Sequence, residues 1–285
     1  MEANGVEFAC LETGPPDGPL ALCLHGFPDT AHSFRHLLPV LADAGYHAVA
    51  PWMRGYAPSA IPADGLYQTG ALATDACALH EVLGGDERAV VIGHDWGAAA
   101  AVGAANYRPE RWRRLVTMAV PPLEAMAESF LTYEQLKRSL YVFVFQTPLA
   151  EAALAVADHA FIDKLWADWS PGYDAGYDVA RVKESIGAPD NMSAAVGYYR
   201  AMFDVSRHDP VYAEAQAATT TAAAQPTLYL HGADDGCLAF EGVGDVLPYL
   251  SPGSVQVTVP RAGHFLHVEQ PRVVGREILA FLGRA

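Results

Sequence analysis

A five-residue turn, Gly93-His-Asp-Trp-Gly97, lies between a predicted strand and a predicted helix. The run before it, 88–93, is short, mostly apolar and rich in β-branched residues, as in a buried parallel strand. The run after it is rich in Ala and Gly and is compatible with a helix. In a Gly-x-Nuc-x-Gly turn, the two glycines let the chain turn sharply and hold the central side chain exposed. That residue is Asp95, so the turn predicts a carboxylate nucleophile.

Short apolar runs alternate with helical patterns along most of the chain, which is typical of a parallel α/β sheet. Strands are predicted near 6–11, 20–25, 46–50, 88–93, 113–119, 226–231 and 254–259, and helices near 31–44, 69–84, 97–107, 239–247 and 271–283. Between 122 and 216 the strand-like runs stop, and helical segments rich in aromatic residues replace them. We therefore predict an α/β core made of 1–121 and 217–285, with an all-helical cap, 122–216, inserted into it.

Composition limits the partners that we expect. The formal net charge is −15, which argues against binding to nucleic acid or to an anionic membrane surface. The four cysteines are scattered without a Cys-x-x-Cys pair, so we expect neither a disulfide framework nor a zinc site. The N-terminal residues lack a leader pattern, and no apolar run has the length of a membrane span. We therefore expect a cytoplasmic location.

Another motif follows the predicted strand 20–25, at the edge where open α/β sheets bind their ligands. It reads His25-Gly-Phe-Pro-Asp29. Its turn can direct the backbone N–H of Phe27 towards the nucleophile. Together with the N–H of Trp96, directly after the nucleophile, it would form a two-donor oxyanion hole.

An acid and a histidine follow the last two predicted strands. Asp234 and Asp235 come after the strand 226–231, and His264 comes after the strand 254–259. An imidazole that acts as a base needs a carboxylate to fix its tautomer and to stabilise its charged form. We favour Asp235 over Asp234 as this partner, because it lies three residues beyond the glycine that ends the strand. The chain order is then nucleophile, acid, histidine.

These residue types favour a two-step mechanism. Aspartate is ionised at neutral pH, so Asp95 can attack an electrophilic carbon and form an alkyl ester. His264 has no proton to remove from such a nucleophile, and we expect it to activate the water that hydrolyses the ester. A carboxylate nucleophile favours the opening of an epoxide or of a carbon–halogen bond over ester cleavage.

The leaving group of the first step distinguishes these two reactions. An epoxide oxygen leaves as an alkoxide and needs a proton donor, which a tyrosine can be at neutral pH. The predicted cap contains seven tyrosines, namely Tyr133, Tyr141, Tyr173, Tyr177, Tyr198, Tyr199 and Tyr212. Composition alone does not choose among them.

The chain resembles the epoxide hydrolases of the α/β-hydrolase fold over nearly its whole length. The shared motifs are His-Gly-Phe-Pro at 25–28, Arg-Gly-Tyr at 54–56, Gly-His-Asp-Trp-Gly at 93–97 and Gly-His at 263–264. Tyr141 begins a segment similar to the one that carries the family's first ring-opening tyrosine, and Tyr199 directly precedes Arg200, as the second does. The resemblance implies an α/β-hydrolase fold and nominates Tyr141 and Tyr199 as the proton donors.

The resemblance also implies the ligands of the site. A small apolar epoxide and water are the expected partners, with no cofactor and no metal, while a monomer and a homodimer both remain open. We expect four side chains to line the pocket, namely Phe27, Pro28, Trp96 and Phe265. Four aromatic residues of the predicted cap, Trp166, Trp169, Tyr173 and Phe203, also suggest an apolar pocket. The chain departs from the family pattern at Asp29, where Glu is frequent, and at Ala57, where Gly is usual.

Two alternatives remain. Haloalkane and haloacid dehalogenases use the same Asp nucleophile, and the indole after Asp95 could hold a halide. They usually add a side-chain donor at the position of Phe27, which has none, or arginines after the nucleophile, which are missing here. A non-catalytic small-molecule binding protein of the same fold is the other alternative, since fold does not determine function.

Overall fold

A computed structural model of the chain describes residues 1–239 and 244–283. A mostly parallel sheet of seven strands forms its centre, with the strands in the order β3-β5-β4-β6-β7-β8-β9. These strands are β3 (Cys10–Thr13), β4 (Leu20–Leu24), β5 (His47–Pro51), β6 (Val90–His94), β7 (Arg114–Met118), β8 (Thr227–Gly232) and β9 (Val255–Val259). Only the edge strand β3 runs antiparallel to its neighbour, and the other pairs are parallel. The predicted fold class is thereby confirmed.

Helices cover both faces of the sheet and fill the segment between β7 and β8. They are α1 (Leu37–Asp43), α2 (Thr69–Val82), α3 (Trp96–Tyr107), α4 (Leu123–Phe130), α5 (Tyr133–Arg138), α6 (Leu140–Val144), α7 (Ala150–Trp169), α8 (Gly176–Ile186), α9 (Pro189–Phe203), α10 (Ala213–Ala218), α11 (Leu266–Glu269) and α12 (Pro271–Leu282). The backbone of α7 is non-helical at residues 156–159, which divide it into two pieces. We call residues 122–216 the helical insert. All of its regular elements are helical. Among the described residues, none of the helices combines the length and the apolar character needed to span a bilayer.

The strands in the middle of the sheet are apolar because both of their faces are covered. Every residue of β4, β5, β6 and β8 is buried, as expected for parallel strands between two layers of helices. Strand β6 lies between β4 and β7. Its carboxyl end, which carries the predicted nucleophile, is therefore surrounded by the loops that follow the neighbouring strands.

The predicted strand near 6–11 is wrong as a single element. The structure has β1 (Glu2–Ala3) paired with β2 (Val6–Glu7), and β3 begins only at Cys10. Asn4 and Gly5 both have positive φ, as in the tight turn that an Asn-Gly pair favours. This turn folds the first residues into a separate hairpin, and the chain joins the main sheet only afterwards.

Three other predictions differ from the structure or lie partly outside the described residues. The predicted helix near 31–44 begins as a 3₁₀ helix, Ala31–His36, and becomes α-helical at Leu37. The predicted helix near 239–247 lies partly outside the described residues; the described segment near its end is a short 3₁₀ helix, Leu247–Tyr249. The limit drawn at 216 falls inside α10, where the Gln216 side chain accepts a hydrogen bond from the Gly70 N–H of α2 at 2.7 Å.

Candidate active site

The turn at Asp95 connects β6 directly to α3. Asp95 has φ 52° and ψ −122°, a conformation that side-chain-bearing residues rarely adopt. The flanking glycines make this turn feasible. A Cβ atom on Gly97 would lie 2.0 Å from the Leu24 carbonyl oxygen, and one on Gly93 would lie 2.1 Å from the Gly97 carbonyl oxygen. The turn therefore requires glycine on both sides and projects the Asp95 side chain away from the sheet.

The two oxygens of the Asp95 carboxylate have different surroundings. Oδ1 accepts a hydrogen bond from the backbone N–H of Phe27 at 2.7 Å. Oδ2 lies 3.6 Å from Nε2 of His264. Trp96 is the first residue of α3, so its N–H has no acceptor within the helix. Oδ1 thus occupies the position where the predicted oxyanion would develop, and Oδ2 is the oxygen that faces His264.

The acid that faces the histidine is Asp235. Its Oδ2 lies 3.0 Å from Nδ1 of His264, and its Oδ1 accepts the N–H groups of Cys237 and Leu238 at 2.7 and 2.9 Å. Burial alone would raise the pKa of Asp235, but the charge and hydrogen bond of His264 outweigh burial and lower it. Asp234 is exposed on the surface. The structure therefore brings Asp235, and not Asp234, to His264.

His264 is fully buried between two carboxylates. Burial disfavours the imidazolium, but Asp235 and Asp95 together outweigh it and raise the pKa of His264 to about 10. Nε2 has no hydrogen-bond partner among the described residues. In the resting site the imidazolium is therefore favoured, and its affinity for the proton depends on the charge of Asp95.

The helical insert holds the loops that carry the acid and the base. The carbonyl oxygen of Trp169, at the end of α7, accepts the N–H groups of both Gly236 and His264, at 3.1 and 2.9 Å. Its ring packs against His264 with 5.0 Å between centroids. Trp169 was expected only as a pocket aromatic. Its carbonyl role has no sequence signal, because every residue has a carbonyl group.

Tyr141 of α6 and Tyr199 of α9 pack against each other, close enough to Asp95 for its charge to act on both. Their rings contact each other edge to face, with 5.5 Å between centroids. The hydroxyl of Tyr199 has no hydrogen-bond partner in the described part of the chain, while that of Tyr141 lies 3.7 Å from Sγ of Cys237. Burial is the main cause that raises the pKa of both phenols well above its ordinary value. Both hydroxyls therefore keep their protons at neutral pH.

A cavity of about 380 Å³ connects these groups. The residues that line it include Asp95, Trp96, Val102, Leu115, Met126, Phe130, Tyr141, Tyr199, Phe203, Cys237 and Leu238. The walls are mostly apolar, and Asp95, Tyr141 and Tyr199 are among the polar side chains that line them. This arrangement is typical of a small-molecule site that positions an apolar ligand against a few polar groups.

Only some of the side chains predicted to line the pocket line the cavity of the structure. Trp96 and Phe203 line the cavity, whereas Phe27, Pro28, Phe265, Trp166, Trp169 and Tyr173 do not belong to its described lining. The Phe265 ring stacks on Trp166, whose indole N–H donates to the Pro28 carbonyl at 2.8 Å. The Phe27 ring packs edge to face on Tyr199. These side chains pack between the helical insert and the core instead of facing the cavity.

Two further residues of the site have a role that the sequence did not indicate. Cys237 lines the cavity beside Tyr141. His231 at the end of β8 lies 2.9 Å from the Leu238 carbonyl through Nε2 and 2.5 Å from the Tyr229 hydroxyl through Nδ1. His231 thus supports the loop in which Asp235 is held. The only sequence signal was that both residues lie near Asp235.

Comparison with known proteins places the chain beside a family and several relatives. The sequence model of the α/β hydrolase fold family matches residues 19–271. The AB hydrolase superfamily protein YfhM of Bacillus subtilis is 31% identical over 287 residues, which cover 99% of this chain and 96% of that protein. Epoxide hydrolase 3 of Xenopus tropicalis is 31% identical over 294 residues, which cover 99% of this chain and 76% of that protein.

A solved structure has the same architecture. The epoxide hydrolase of Bacillus megaterium, crystallised with an inhibitor, aligns with a TM-score of 0.83 at 25% identity. The alignment covers 100% of this chain and 99% of that one. Together with the sequence matches, it shows that the chain belongs to the α/β-hydrolase fold family and is an epoxide-hydrolase-like α/β hydrolase.

Proposed function

We propose that this chain hydrolyses an apolar epoxide to a vicinal diol through a covalent ester on Asp95. The observation that carries the proposal is the pair of buried, protonated hydroxyls of Tyr141 and Tyr199 in the same cavity as the Asp95 carboxylate. A ring oxygen placed between these hydroxyls would present a ring carbon to the carboxylate. The core, residues 1–121 and 217–285, supplies the nucleophile, and the cap, residues 122–216, supplies the acids.

The first step opens the ring. Oδ2 of Asp95 attacks a ring carbon and the carbon–oxygen bond of the epoxide breaks. The leaving oxygen takes a proton from Tyr141 or Tyr199, so that the first product hydroxyl forms as the ester forms. General acid catalysis of this kind contributes about 10²–10⁴-fold to a rate.

The second step hydrolyses the ester. Once Asp95 is esterified its negative charge is lost, and with it one of the two carboxylates that raise the pKa of His264. The imidazolium then gives up its proton, which returns to the tyrosinate left by ring opening, and the neutral His264 takes a proton from a water that attacks Cγ of Asp95. The oxyanion develops on Oδ1, which accepts the Phe27 N–H and which the N–H of Trp96 would also stabilise. Collapse breaks the ester bond, and the leaving alkoxide takes the proton from His264 and becomes the second hydroxyl. The second water proton, left on the Asp95 carboxyl group, passes to His264 and restores the resting pair of carboxylate and imidazolium.

The same features favour an epoxide over an organic halide. A halide leaves as a stable anion and gains little from two tyrosines that keep their protons. Phe27, at the position where a side-chain donor would hold a halide, directs an apolar ring towards Tyr199 instead. Halide release from chloroalkanes and chloroacids is therefore expected to be negligible beside diol formation.

A mass measurement tests the proposal. His264→Gln protein mixed with styrene oxide should gain the mass of one epoxide, and the modification should map to the peptide that contains Asp95. The matched control Asp95→Asn, His264→Gln should gain nothing. An unchanged mass, with no diol formed by the wild type from styrene oxide or an aliphatic epoxide, would rule out the proposed function.

A further inference from the structure

A cluster of three buried side chains lies directly behind the catalytic groups. It consists of Asp29, His94 and His267, each no more than 1% exposed, and their ligand-type atoms all lie within 4.8 Å of one another. Asp29 follows Phe27 by two residues, His94 directly precedes Asp95, and His267 follows His264 by three. The cluster therefore connects the loops that carry the oxyanion donor, the nucleophile and the base.

The Asp29 carboxylate is anchored on its outer side. Oδ1 accepts the Thr30 N–H at 2.7 Å, and Oδ2 accepts the Ser33 hydroxyl at 2.8 Å. Oδ2 also faces Nδ1 of His94 at 3.5 Å and Nε2 of His267 at 3.9 Å. Both separations exceed the range of N–H···O hydrogen bonds, which is about 2.7–3.2 Å. A buried carboxylate of this kind needs a positive charge nearby.

The orientation of His94 directs a nitrogen lone pair at the same carboxylate oxygen, Oδ2 of Asp29. Its Nε2 lies 2.9 Å from the His264 carbonyl oxygen and donates to it. In the neutral ring, Nδ1 then has no proton and faces the Asp29 carboxylate, acceptor against acceptor. Metal-ligating histidines usually donate their other ring N–H to a carbonyl or carboxylate, which is the arrangement of His94.

His267 adds a third donor atom without a partner. Neither of its ring nitrogens has a hydrogen bond within the described part of the chain, although the side chain is buried against the His94 ring with 4.6 Å between centroids. An unsatisfied buried polar group is unfavourable, and a buried imidazole with two of them is unusual. Coordination through Nε2 would give one of these two nitrogens a partner.

We propose that Asp29 Oδ2, His94 Nδ1 and His267 Nε2 bind a divalent transition-metal ion, with Zn²⁺ as the ion this donor set suits. Two imidazole nitrogens and one carboxylate oxygen are common zinc ligands, with bonds of about 2.0–2.2 Å. In a tetrahedral site such bonds separate the ligand atoms by about 3.4 Å, close to the separations from Asp29 to His94 and His267. The site lies outside the reaction path, and its role is to hold three catalytic loops together. The expectation of no metal, drawn from the resemblance and from the cysteine spacing, did not take these three residues into account.

Metal content and thermal stability test the proposal without reference to activity. Protein stripped by chelator dialysis should bind one equivalent of Zn²⁺ and show a rise of about 5 °C or more in its melting temperature at saturation. Co²⁺ should bind with one equivalent and give the visible absorption of a four-coordinate N/O site. Binding of less than about one tenth of an equivalent, or an octahedral aqua-type spectrum, would overturn the site.

Matched variants locate the ion. His267→Gln should weaken Co²⁺ binding by about 10-fold or more, whereas His80→Gln, a buried histidine outside the cluster, and Asp95→Asn, in the catalytic pair, should bind as the wild type does. If His267→Gln binds normally, or Asp95→Asn loses the ion, the assignment is wrong. Should His267→Gln fail to fold, histidine ¹⁵N spectra of the wild type serve instead: Zn²⁺ must shift the resonances of His94 and His267, and not those of His80.

Discussion

The two sides of the cavity hold their reactive groups in different ways. On the sheet side, the Asp95 and Asp235 carboxylates accept short hydrogen bonds from backbone N–H groups of the loops after β4 and β8. On the insert side, Tyr141 and Tyr199 are positioned by ring packing, and their hydroxyls make no short hydrogen bond to a described residue. The carboxylates, which include the proposed nucleophile, are thus held by hydrogen bonds, and the tyrosines, the proposed proton donors, are held by side-chain packing.

This difference matches the demands on each group. A carboxylate that must attack, and later carry an oxyanion, needs fixed dipoles around it throughout the reaction. A phenol that must donate to a substrate oxygen needs a free hydroxyl, and a hydrogen bond to the protein would compete with that donation. Removing a group on the sheet side should therefore damage both chemistry and local structure. Removing the hydroxyl of Tyr141 or Tyr199 should damage chemistry alone.

The largest effect is expected from the acid that supports the base. Asp235→Asn leaves the carboxylate of Asp95 intact but provides the wrong partner for His264, so ester hydrolysis should slow by about 10³–10⁴-fold. Ring opening should persist, and the ester should accumulate in rapid-quench mass spectra. Asp234→Asn removes the exposed neighbour and is the matched control, expected within about twofold of the wild type. Equal effects of the two substitutions would contradict the assignment.

A smaller effect is expected on the insert side. Tyr141→Phe and Tyr199→Phe should each slow the ring-opening step by about 10²-fold, and the double variant should lose more, because the substrate oxygen then has no proton donor. Single-turnover kinetics with an epoxide measure this step separately. Ester hydrolysis should be nearly unchanged. A variant that opens the ring at the wild-type rate would remove its tyrosine from the mechanism.

Two adjacent tyrosines separate chemistry from stability. The Tyr198 hydroxyl donates to the Arg54 carbonyl at 2.8 Å, so Tyr198→Phe should lower the free energy of unfolding by about 1–3 kcal/mol. The Tyr199 hydroxyl has no such partner among the described residues, so Tyr199→Phe should change it by less than about 0.5 kcal/mol. Denaturant titrations of both variants check this. The opposite order would contradict the account of Tyr199 as a tyrosine held by ring packing, with its hydroxyl free for the substrate.

The smallest effect is a dependence of stability on pH. The folded pKa of His264, about 10, lies above its ordinary value of 6.5. A raised pKa of a cationic group stabilises the fold fully below pH 6.5, and this contribution disappears as the pH rises through 10. The melting temperature of the wild type should therefore fall across this alkaline range more steeply than that of His264→Gln. Parallel curves would show that the imidazolium does not stabilise the resting site.

The groups on the sheet side of the site could be predicted from the sequence because parallel strands end at a common edge. Asp95, Asp235 and His264 each follow an apolar run that does form a strand, namely β6, β8 or β9. Because these strands belong to one sheet, the strand assignment alone predicts that the three residues lie close together. The packing of the helices need not be known. The same logic favoured Asp235 over Asp234, and the hydrogen bond to His264 agrees with it.

The side chains that line the cavity could not be predicted in this way. Whether a side chain faces the cavity depends on the packing of the helical insert, which short-range patterns do not encode. Phe27, Pro28 and Phe265 are close in sequence to the site, yet the insert covers them through contacts such as the stack of Phe265 on Trp166. The hydrogen bond from the His264 N–H to the Trp169 carbonyl could not be predicted either, because it involves only backbone groups, which every residue has.

A single turnover in H₂¹⁸O tests the covalent role of Asp95 most directly. With enzyme in excess over a styrene oxide substrate, the new diol oxygen must come from the Asp95 carboxylate, and the water oxygen must enter that carboxylate. We predict an unlabelled diol and one ¹⁸O in the peptide that contains Asp95. A diol that carries ¹⁸O after the first turnover, with an unlabelled peptide, would mean that water attacks the epoxide directly and would contradict the account.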